Sequence, residues 1–297
     1  MAAFPTLKQI LQIDLPGLEI MDVGAMIEGA ERYAPLVGQG LARVTGFEPN
    51  PDEYAKLAKR KGPYTYFPVF LGDGADAKFH VTRYPGCASL FEPDAAVIDR
   101  FVAYEASQPD GNFYVQKTEV VQTVRLDDVD GCKPPDYVKL DVQGGELAVI
   151  QHGAKTLAQA LVLEVEVEFT PLYRDQPLYG DIERLFRQRG FVLHKFVDVS
   201  GRGLRPIAPA NRYLPISQLI SADAVFIRNY WDTETLDREQ LLKAGLVLHD
   251  IYRSYDMVHY LLAAHDSRTR GDLAERYRQF LSSDIPPTFF LNLRASP

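Results

Sequence analysis

The sequence predicts an α/β protein built on a doubly wound, mostly parallel sheet, followed by a helical extension at its C-terminal end. Up to Arg228, short apolar runs of strand length alternate with segments of helical periodicity. This alternation implies crossover connections between parallel strands. Glycines and polar residues follow the first strands, which is where open α/β sheets bind ligands. Beyond Arg228, apolar residues recur at helical spacing.

The first half of the chain is predicted to contain five strands and two helices. Its elements are strands at 18–23, 42–48, 64–71, 78–82 and 113–124, and helices at 30–41 and 52–61. The last two strands alternate in hydropathy, so we expect residues 78–82 to pair nearby as a hairpin.

The second half continues the alternation and then changes character. Its elements are strands at 136–142, 160–169, 191–196 and 222–228, and helices at 146–157 and 179–189. We therefore predict one sheet domain over 1–228 and a helical extension over 229–297, which we interpret as a structural cap.

Composition excludes several classes of protein. The net charge is −8 and the pI about 5.3, which argues against nucleic acid as a partner because phosphate binding needs a positive field. The two cysteines, Cys87 and Cys132, are far apart in sequence and form no metal or redox motif. We see no signal peptide and no apolar stretch that could span a bilayer, so we expect a cytoplasmic protein without a membrane partner.

Three successive strands are followed by residues that suit a ligand with an adenosine group. A carboxylate after the second strand can accept both ribose hydroxyls, and an acid after the third can reach the amine of adenine. The candidate ligand-binding residues are Asp22, Gly24, Ala25, Glu48, Pro49, Asn50, Gly72 and Asp73. Taken singly, each also has a structural explanation, such as a strand-to-helix turn or a helix cap.

A nicotinamide dinucleotide is the competing cofactor. The glycine pattern of a pyrophosphate-binding loop is absent from residues 24–29, and Glu28 would place a negative charge beside the phosphates. S-adenosylmethionine has no phosphate and carries a cationic sulfonium, so acids around it are less unfavourable.

Several motifs together resemble those of the FkbM family of methyltransferases. The most specific is Tyr-Val-Lys-Leu-Asp-Val-Gln-Gly-Gly-Glu at residues 137–146. The other matching segments are 22–25, 46–50, 123–128, 153–154 and 163–166, so the resemblance extends over roughly residues 18 to 228.

The resemblance implies a Rossmann-like class I methyltransferase fold and S-adenosylmethionine as methyl donor. It also implies O-methylation, with a hydroxyl of a sugar, glycan or natural product as the acceptor. One departure concerns the methionine end of the cofactor: Met26 stands where the family usually has Asn, and the loop before Gly29 is longer.

The fourth strand ends at the residues that we expect to act on the acceptor. Methyl transfer needs the acceptor oxygen held in line with the methyl group, and a hydroxyl also benefits from a base. Asp141 is the first candidate for orientation or proton removal, and Gln143 for binding the cofactor or a hydroxyl. Glu146 begins the next helix, where an acid complements the helix dipole.

Three glutamates alternate along the fifth strand at Glu164, Glu166 and Glu168. On a strand they share one face. We expect Glu166 to contact the substrate. The alternative is that only the first glutamate lies in the sheet and the others continue into a solvated loop. We expect no metal, although a divalent cation between Asp141 and one of these acids is conceivable because magnesium prefers oxygen ligands.

Two loops are predicted to cover this end of the sheet. Ser89 lies in a loop that can cover the cofactor. Residues 173–179 follow the fifth strand and are rich in Tyr, Pro and Arg. We predict that this second segment is a lid or binds the acceptor.

Three hypotheses follow from the sequence. The first is an S-adenosylmethionine-dependent O-methyltransferase, and the second is a catalytically silent module that binds the same cofactor. An NAD-linked enzyme is the third, which the missing phosphate loop disfavours. The oligomeric state stays open, and a homo-oligomer is compatible with all three.

Overall fold

A computed structural model of the chain describes residues 5–26, 29 and 31–281. The strands are β1 (Leu18–Val23), β2 (Ala42–Phe47), β3 (Tyr64–Phe67), β4 (Phe70–Leu71), β5 (Asp76–Thr82), β6 (Val115–Val124), β7 (Tyr137–Leu140), β8 (Val162–Glu168), β9 (Phe191–Val197), β10 (Gly201–Arg202), β11 (Gln218–Leu219) and β12 (Ser221–Arg228). The helices are α1 (Leu7–Leu11), α2 (Ala34–Gly38), α3 (Pro51–Leu57), α4 (Ala95–Ile98), α5 (Glu146–Gln151), α6 (Tyr179–Gln188), α7 (Arg238–Asp250), α8 (Tyr255–Thr269) and α9 (Leu273–Phe280).

Seven strands form the central sheet, in the order β3-β2-β1-β7-β8-β12-β9. The pairs from β3 to β8 are parallel, whereas β12 runs antiparallel to both β8 and β9. The mostly parallel, doubly wound sheet predicted from the sequence is therefore confirmed. Strand order reverses between β1 and β7, and ligands bind at such a switch point beyond the carboxyl ends of the strands.

Hydrophobic clusters cover both faces of the sheet. On one face, Leu11 of α1 and Leu241 and Leu262 of the C-terminal helices pack in one cluster with residues of the strands. On the other face, Leu163 of β8 packs in a cluster with Ile182 of α6. The predicted C-terminal helical part is present and shares its core with the sheet. The division at residue 228 stays a prediction.

Local sequence signals start helices where the structure has them. Asn50 precedes Pro51, and its side-chain oxygen accepts a hydrogen bond from Asp52 N at 2.9 Å. Asp237 caps α7 in the same way and forms a capping box with Gln240. Such caps satisfy amides that have no partner within the helix. Among the predicted helices, the structure shortens 30–41, 52–61 and 146–157 to α2, α3 and α5.

The predicted strand at 64–71 is wrong in its extent. It divides at Pro68 into β3, which belongs to the central sheet, and β4, which pairs with β6 in a separate three-stranded sheet. Proline has no N–H to donate, so it interrupts a ladder of hydrogen bonds. The third strand of the central sheet therefore ends at Phe67, whereas the sequence predicted that it would extend to the residue before Gly72.

The separate sheet and the segment between β5 and β6 form a cap above the carboxyl edge of the central sheet. β5 pairs antiparallel with β6, which begins more than thirty residues after β5 ends, so the expectation that residues 78–82 pair nearby as a hairpin is wrong. The cap has its own hydrophobic cluster, which includes Cys87, Phe101, Phe113 and Tyr173. Within residues 5–26, 29 and 31–281, no helix combines the length and hydropathy that crossing a membrane requires.

Candidate active site

A cavity of about 2000 Å³ opens between the cap and the carboxyl ends of β1, β2, β7 and β8. Its lining includes most of the candidate residues. These are Asp22, Gly24, Glu48, Pro49, Asn50, Asp141, Gln143 and Glu166. Gly72 and Asp73 do not line it. Ala25 is buried and does not line it either.

Gly24 brings the ends of β1 and β7 into close contact. Its φ is +82°, and a Cβ atom there would lie 1.9 Å from the carbonyl oxygen of Asp141. The amides of Gly24 and Ala25 both donate to the carbonyl oxygen of Phe47 at 3.0 Å. Glycine is thus required by both the left-handed conformation and the missing space. Any side chain would push Asp141 away from the end of β1.

Asp22 presents a carboxylate oxygen at this junction. Its Oδ2 accepts a hydrogen bond from the Tyr33 hydroxyl at 2.5 Å. Its Oδ1 is buried and has no hydrogen-bond partner among the described residues, and Lys139 Nζ lies 4.0 Å away. Burial raises the pKa of Asp22, and the Lys139 ammonium opposes that shift. An unpartnered buried acceptor of this kind calls for a donor from a ligand.

Lys139 lies between two acids on the sheet face that forms the cavity floor. In the strand register it is beside Asp22 on one side and Glu164 on the other. Its Nζ is 3.6 Å from Oδ2 of Asp141. Burial alone would lower the pKa of Lys139, but the carboxylates of Asp141 and Asp22 outweigh it and raise the pKa above its usual value. This ammonium favours the charged form of Asp141.

Glu48 and Asn50 follow β2, which lies on the opposite side of β1 from β7. Glu48 Oε1 accepts a hydrogen bond from the Asn50 amide at 2.8 Å. Burial raises the pKa of Glu48 to about 7. The Asn50 side chain caps α3, so its structural role is established whether or not it also contacts a ligand.

The structure places Asp73 away from the other candidates. Its Oδ1 accepts from the Ala75 amide at 2.9 Å and from Thr123 Oγ1 at 3.3 Å. Asp73 lines a smaller, open pocket of about 450 Å³ beside Arg125 and His152. The break at Pro68 carries this segment out of the central sheet, which is why the expected position after a third sheet strand does not exist.

Gln143 connects the two predicted catalytic acids. Its Nε2 donates to Asp141 Oδ1 at 3.0 Å and to Glu166 Oε2 at 2.5 Å. Its Oε1 accepts from the Tyr173 hydroxyl at 3.3 Å, and its backbone oxygen accepts from Ser89 Oγ at 2.6 Å. Gln143 has a φ of 53°. The two covering segments thus hold this strained turn, and the acids that it bridges, in one arrangement.

The predicted covering loops have different roles. Ser89 is buried and contacts the site through the Gln143 carbonyl. Tyr173 is also buried, and its hydroxyl additionally donates to the carbonyl of Cys87 at 3.0 Å. Tyr179 instead packs with Phe169 and Phe196 at the start of α6. Tyr173 therefore joins the cap to the floor.

All three glutamates of β8 lie in the sheet, so the alternative of a solvated loop is wrong. Glu164, Glu166 and Glu168 are 2%, 7% and 3% exposed. β12 pairs with the whole of β8, including Glu168 with Ser221. Burial, reinforced by neighbouring acids, raises the pKa of Glu166 and of Glu168 well above the usual value.

Sequence reasoning missed the cations of the floor and three residues around them. Arg32 bonds to Glu164, Asp198 and Asp223. Lys139 was visible within the matching motif, but Arg32 gave no signal because its partners are more than 130 residues away in sequence. The missed residues are Arg32, Tyr33, Lys139, Asp198 and Asp223.

Glu146 has the structural role that competed in the sequence analysis. It is 1% exposed, and its Oε1 accepts from the Val142 amide at 2.8 Å. Burial raises its pKa to about 7. In the part of the chain that the structure describes, no group of three His, Cys, Asp or Glu side chains is arranged to hold a metal ion.

The sequence model of the protein family described as methyltransferase FkbM domain matches residues 22–193 of this chain. The chain belongs to the FkbM methyltransferase family. The resemblance found in the sequence is confirmed, and so is the Rossmann-like class I methyltransferase fold, which the strand order shows directly. Methyl transfer is the class of activity that this membership supports.

Solved structures of other methyltransferases resemble this chain at low sequence identity. Magnesium protoporphyrin IX methyltransferase from Synechocystis PCC 6803 with bound SAM is 15% identical, with 72% of each chain covered and a TM-score of 0.36. Precorrin-6y C5,15-methyltransferase from Geobacter metallireducens GS-15 is 14% identical, with 74% of this chain and 82% of that chain covered and a TM-score of 0.30. The search of curated proteins returned no significant match.

Proposed function

We propose that this FkbM-family protein is an S-adenosylmethionine-dependent O-methyltransferase. Its acceptor is a hydroxyl group of a sugar, glycan or small natural product. The observation that carries the proposal is the Gln143 amide, which bridges Asp141 and Glu166 on the floor of a large cavity at the switch point of the sheet.

The donor end of the cavity fits a cationic ligand without phosphate. Asp22 offers an unpartnered buried oxygen, and Glu48 lies at the position that suits ribose hydroxyls. Gly24 and Ala25 keep side chains clear of the junction between them. When bound, S-adenosylmethionine supplies a methyl group on a good leaving group. Asp22, Gly24 and Glu48, which line the cavity, would hold it.

The two bridged acids suit different tasks because their surroundings differ. Lys139 lies within 3.6 Å of Asp141 and favours its carboxylate, which can accept a proton from a hydroxyl. Glu166 has no such cation beside it in the described part of the chain, and burial raises its pKa well above the usual value, which favours its protonated form. Opposed environments of this kind separate the roles of paired carboxyl groups.

The cavity has room for two molecules. Its volume of about 2000 Å³ exceeds the roughly 300–1,000 Å³ typical of a site for one small ligand. Tyr84, Tyr104 and Phe113 of the cap line the part above the floor. Aromatic faces next to polar groups suit a sugar or a hydroxylated ring.

Partners and location complete the proposal. The acceptor is a small molecule or glycan and not a nucleic acid, consistent with the pI of about 5.3. We propose a cytoplasmic location, in which Cys87 and Cys132 stay reduced and form no disulfide. A homo-oligomer is compatible with these features.

A catalytically silent cofactor-binding module is the second candidate. It is favoured by one observation, the replacement of the family's usual Asn by Met26 at the methionine end. Binding without turnover would identify it.

Calorimetric titration tests the donor. S-adenosylmethionine, S-adenosylhomocysteine and NAD are titrated into the protein, into E48A, and into E183A on α6 as a matched loss of charge outside the cavity. We expect binding of the adenosyl ligands near the micromolar range, about −8 kcal/mol, lost in E48A and kept in E183A. Tight binding of NAD, or no adenosyl binding, contradicts the proposal.

A panel of sugars, nucleotide sugars and phenolic natural products then tests the acceptor. Formation of S-adenosylhomocysteine together with a methyl ether on a panel member supports O-methyl transfer. A methylated nitrogen or carbon contradicts it. Donor binding with no product from any acceptor favours the silent module.

A further inference from the structure

Three consecutive residues, Glu31, Arg32 and Tyr33, cross the carboxyl edge of the sheet and all line the cavity. We refer to them as the strap. Each side chain is attached to a different element. Glu31 Oε2 accepts a hydrogen bond at 3.0 Å from Nη2 of Arg60, a residue just beyond the end of α3. The Tyr33 hydroxyl donates to Asp22 on β1.

Arg32 makes the strap's connection to the far side of the cavity. Its Nε lies 3.0 Å from Glu164 Oε2, and its Nη2 lies 2.5 Å from Asp198 Oδ2 and 2.7 Å from Asp223 Oδ2. Glu164 lies on β8, Asp198 directly follows β9, and Asp223 lies on β12. A planar guanidinium can serve several carboxylates at fixed angles, which an ammonium cannot.

Two buried tyrosine hydroxyls hold Glu164, one of the three acids that Arg32 contacts. Glu164 Oε2 also accepts from the Tyr252 hydroxyl at 2.5 Å. The Tyr137 hydroxyl lies 2.8 Å from that of Tyr252. Tyr252 is fully buried between α7 and α8. Asp198, Asp223 and Tyr252 all lie beyond residue 193, where the family match ends.

The position of Tyr33 depends on this connection because Tyr33 follows Arg32 directly. Tyr33 occupies one oxygen of Asp22 and leaves Oδ1 buried without a hydrogen-bond partner among the described residues. Loss of the Arg32 bonds would leave three acids close together without their shared cation, and their repulsion would displace the strap.

We propose that Arg32 is a positioning residue for the donor end of the cavity: by tying the strap to acids from the C-terminal part of the chain, it fixes Tyr33 on Asp22. Its effect on the donor rests on the proposed function. The attachment of the strap itself does not.

The experiment combines two measurements on the full chain. Hydrogen–deuterium exchange of the ligand-free protein reports on the strap, and calorimetry with S-adenosylhomocysteine reports on the donor end. Both are made on the wild type, R32M, R32K and R187M. Arg187 pairs with Glu183 on α6, so R187M removes an ion pair elsewhere.

We expect R32M to speed amide exchange in the strap and to weaken S-adenosylhomocysteine binding, each by about tenfold. R32K keeps the positive charge but lacks the planar guanidinium that contacts several carboxylates. Its exchange rate in the strap and its affinity for S-adenosylhomocysteine should therefore lie between those of the wild type and R32M. R187M should change neither. If R32M does not fold, D198N and D223N each remove one partner charge while keeping side-chain shape, and the same two readouts apply with smaller changes.

Unchanged exchange in the strap of R32M overturns the attachment. Faster exchange with unchanged affinity shows a purely structural role and overturns the positioning. If the wild type does not bind S-adenosylhomocysteine, the proposed function is wrong, and so is the proposed effect of Arg32 on donor binding. The exchange measurement then still tests whether Arg32 holds the strap in place.

Discussion

Strand β8 is buried along its whole length, but its two faces meet different surroundings. Leu163, Val165 and Val167 on one face are 0% exposed and pack into a hydrophobic cluster. Glu164 and Glu166 on the other face are almost as buried, yet they line the cavity. One face contributes stability through apolar burial, which is favourable.

The acid face is unfavourable for folding by the same criterion. Burying an ionisable group costs free energy unless it is paired or neutralised. Glu164 is paired with Arg32, whereas Glu166 has a raised pKa. The comparison teaches that equal burial can serve stability on one face and ligand chemistry on the other. Substitutions on the two faces should therefore have opposite effects.

Replacing the central acid of the floor should produce the largest change. Asp141→Asn keeps the size of the side chain and an oxygen for the Gln143 amide, but removes the proton acceptor. We expect turnover to fall by about 10²- to 10⁴-fold, measured as S-adenosylhomocysteine formation with an acceptor found in the panel. The free energy of unfolding should change little. Turnover at the wild-type rate would remove Asp141 from the chemistry.

Truncation on the apolar face should give the next largest effect. Leu163→Ala removes a fully buried side chain from a packed cluster, so we expect the free energy of unfolding to fall by about 2–5 kcal/mol. Urea denaturation measures this change. The folded variant should bind S-adenosylhomocysteine as the wild type does. Weaker binding without loss of stability would contradict the division between the faces.

The pH dependence of stability should report on Glu48. Its pKa rises from 4.5 to about 7 on folding, so the folded protein binds more protons than the unfolded chain in that interval. The contribution is fully present below pH 4.5 and is lost as the pH rises to about 7. E48Q should reduce this fall in the free energy of unfolding by about 2 kcal/mol.

Urea denaturation of E48Q and wild type between pH 5 and about pH 8 measures the difference. E183Q on the outer surface of α6 is the matched control and should follow the wild type. Parallel curves for E48Q and wild type would show that Glu48 titrates alike in both states.

The smallest effect is expected at Glu166, and with the opposite sign to that at Leu163. Burial raises the pKa of Glu166 well above its usual value, so the folded protein holds this proton more tightly than the unfolded chain does. Glu166→Gln removes this difference and can still accept the Gln143 bond, so the free energy of unfolding at pH 7 should rise by about 1 kcal/mol. A loss comparable with that of Leu163→Ala would mean that the acid is a structural element.

Much of the site could be predicted because it follows strand ends. The positions of Asp22, Glu48 and Asp141 depend on where buried apolar runs stop, and hydropathy shows that directly. The same argument gave the wrong position for Asp73, because Pro68 interrupts the strand. The strand of the central sheet ends four residues before the apolar run ends. A proline inside a predicted strand was the available signal.

The sequence by itself determined the alternation of strands and helices, the family and the polar residues at the sheet's switch point. These depend on local hydropathy and short motifs, which are continuous along the chain. Only the tertiary structure decided that Arg32 meets Glu164, Asp198 and Asp223, and that Gln143 bridges two acids under Tyr173. Such contacts join residues far apart in sequence, and they form only when sheet order and cap packing bring the strand ends together.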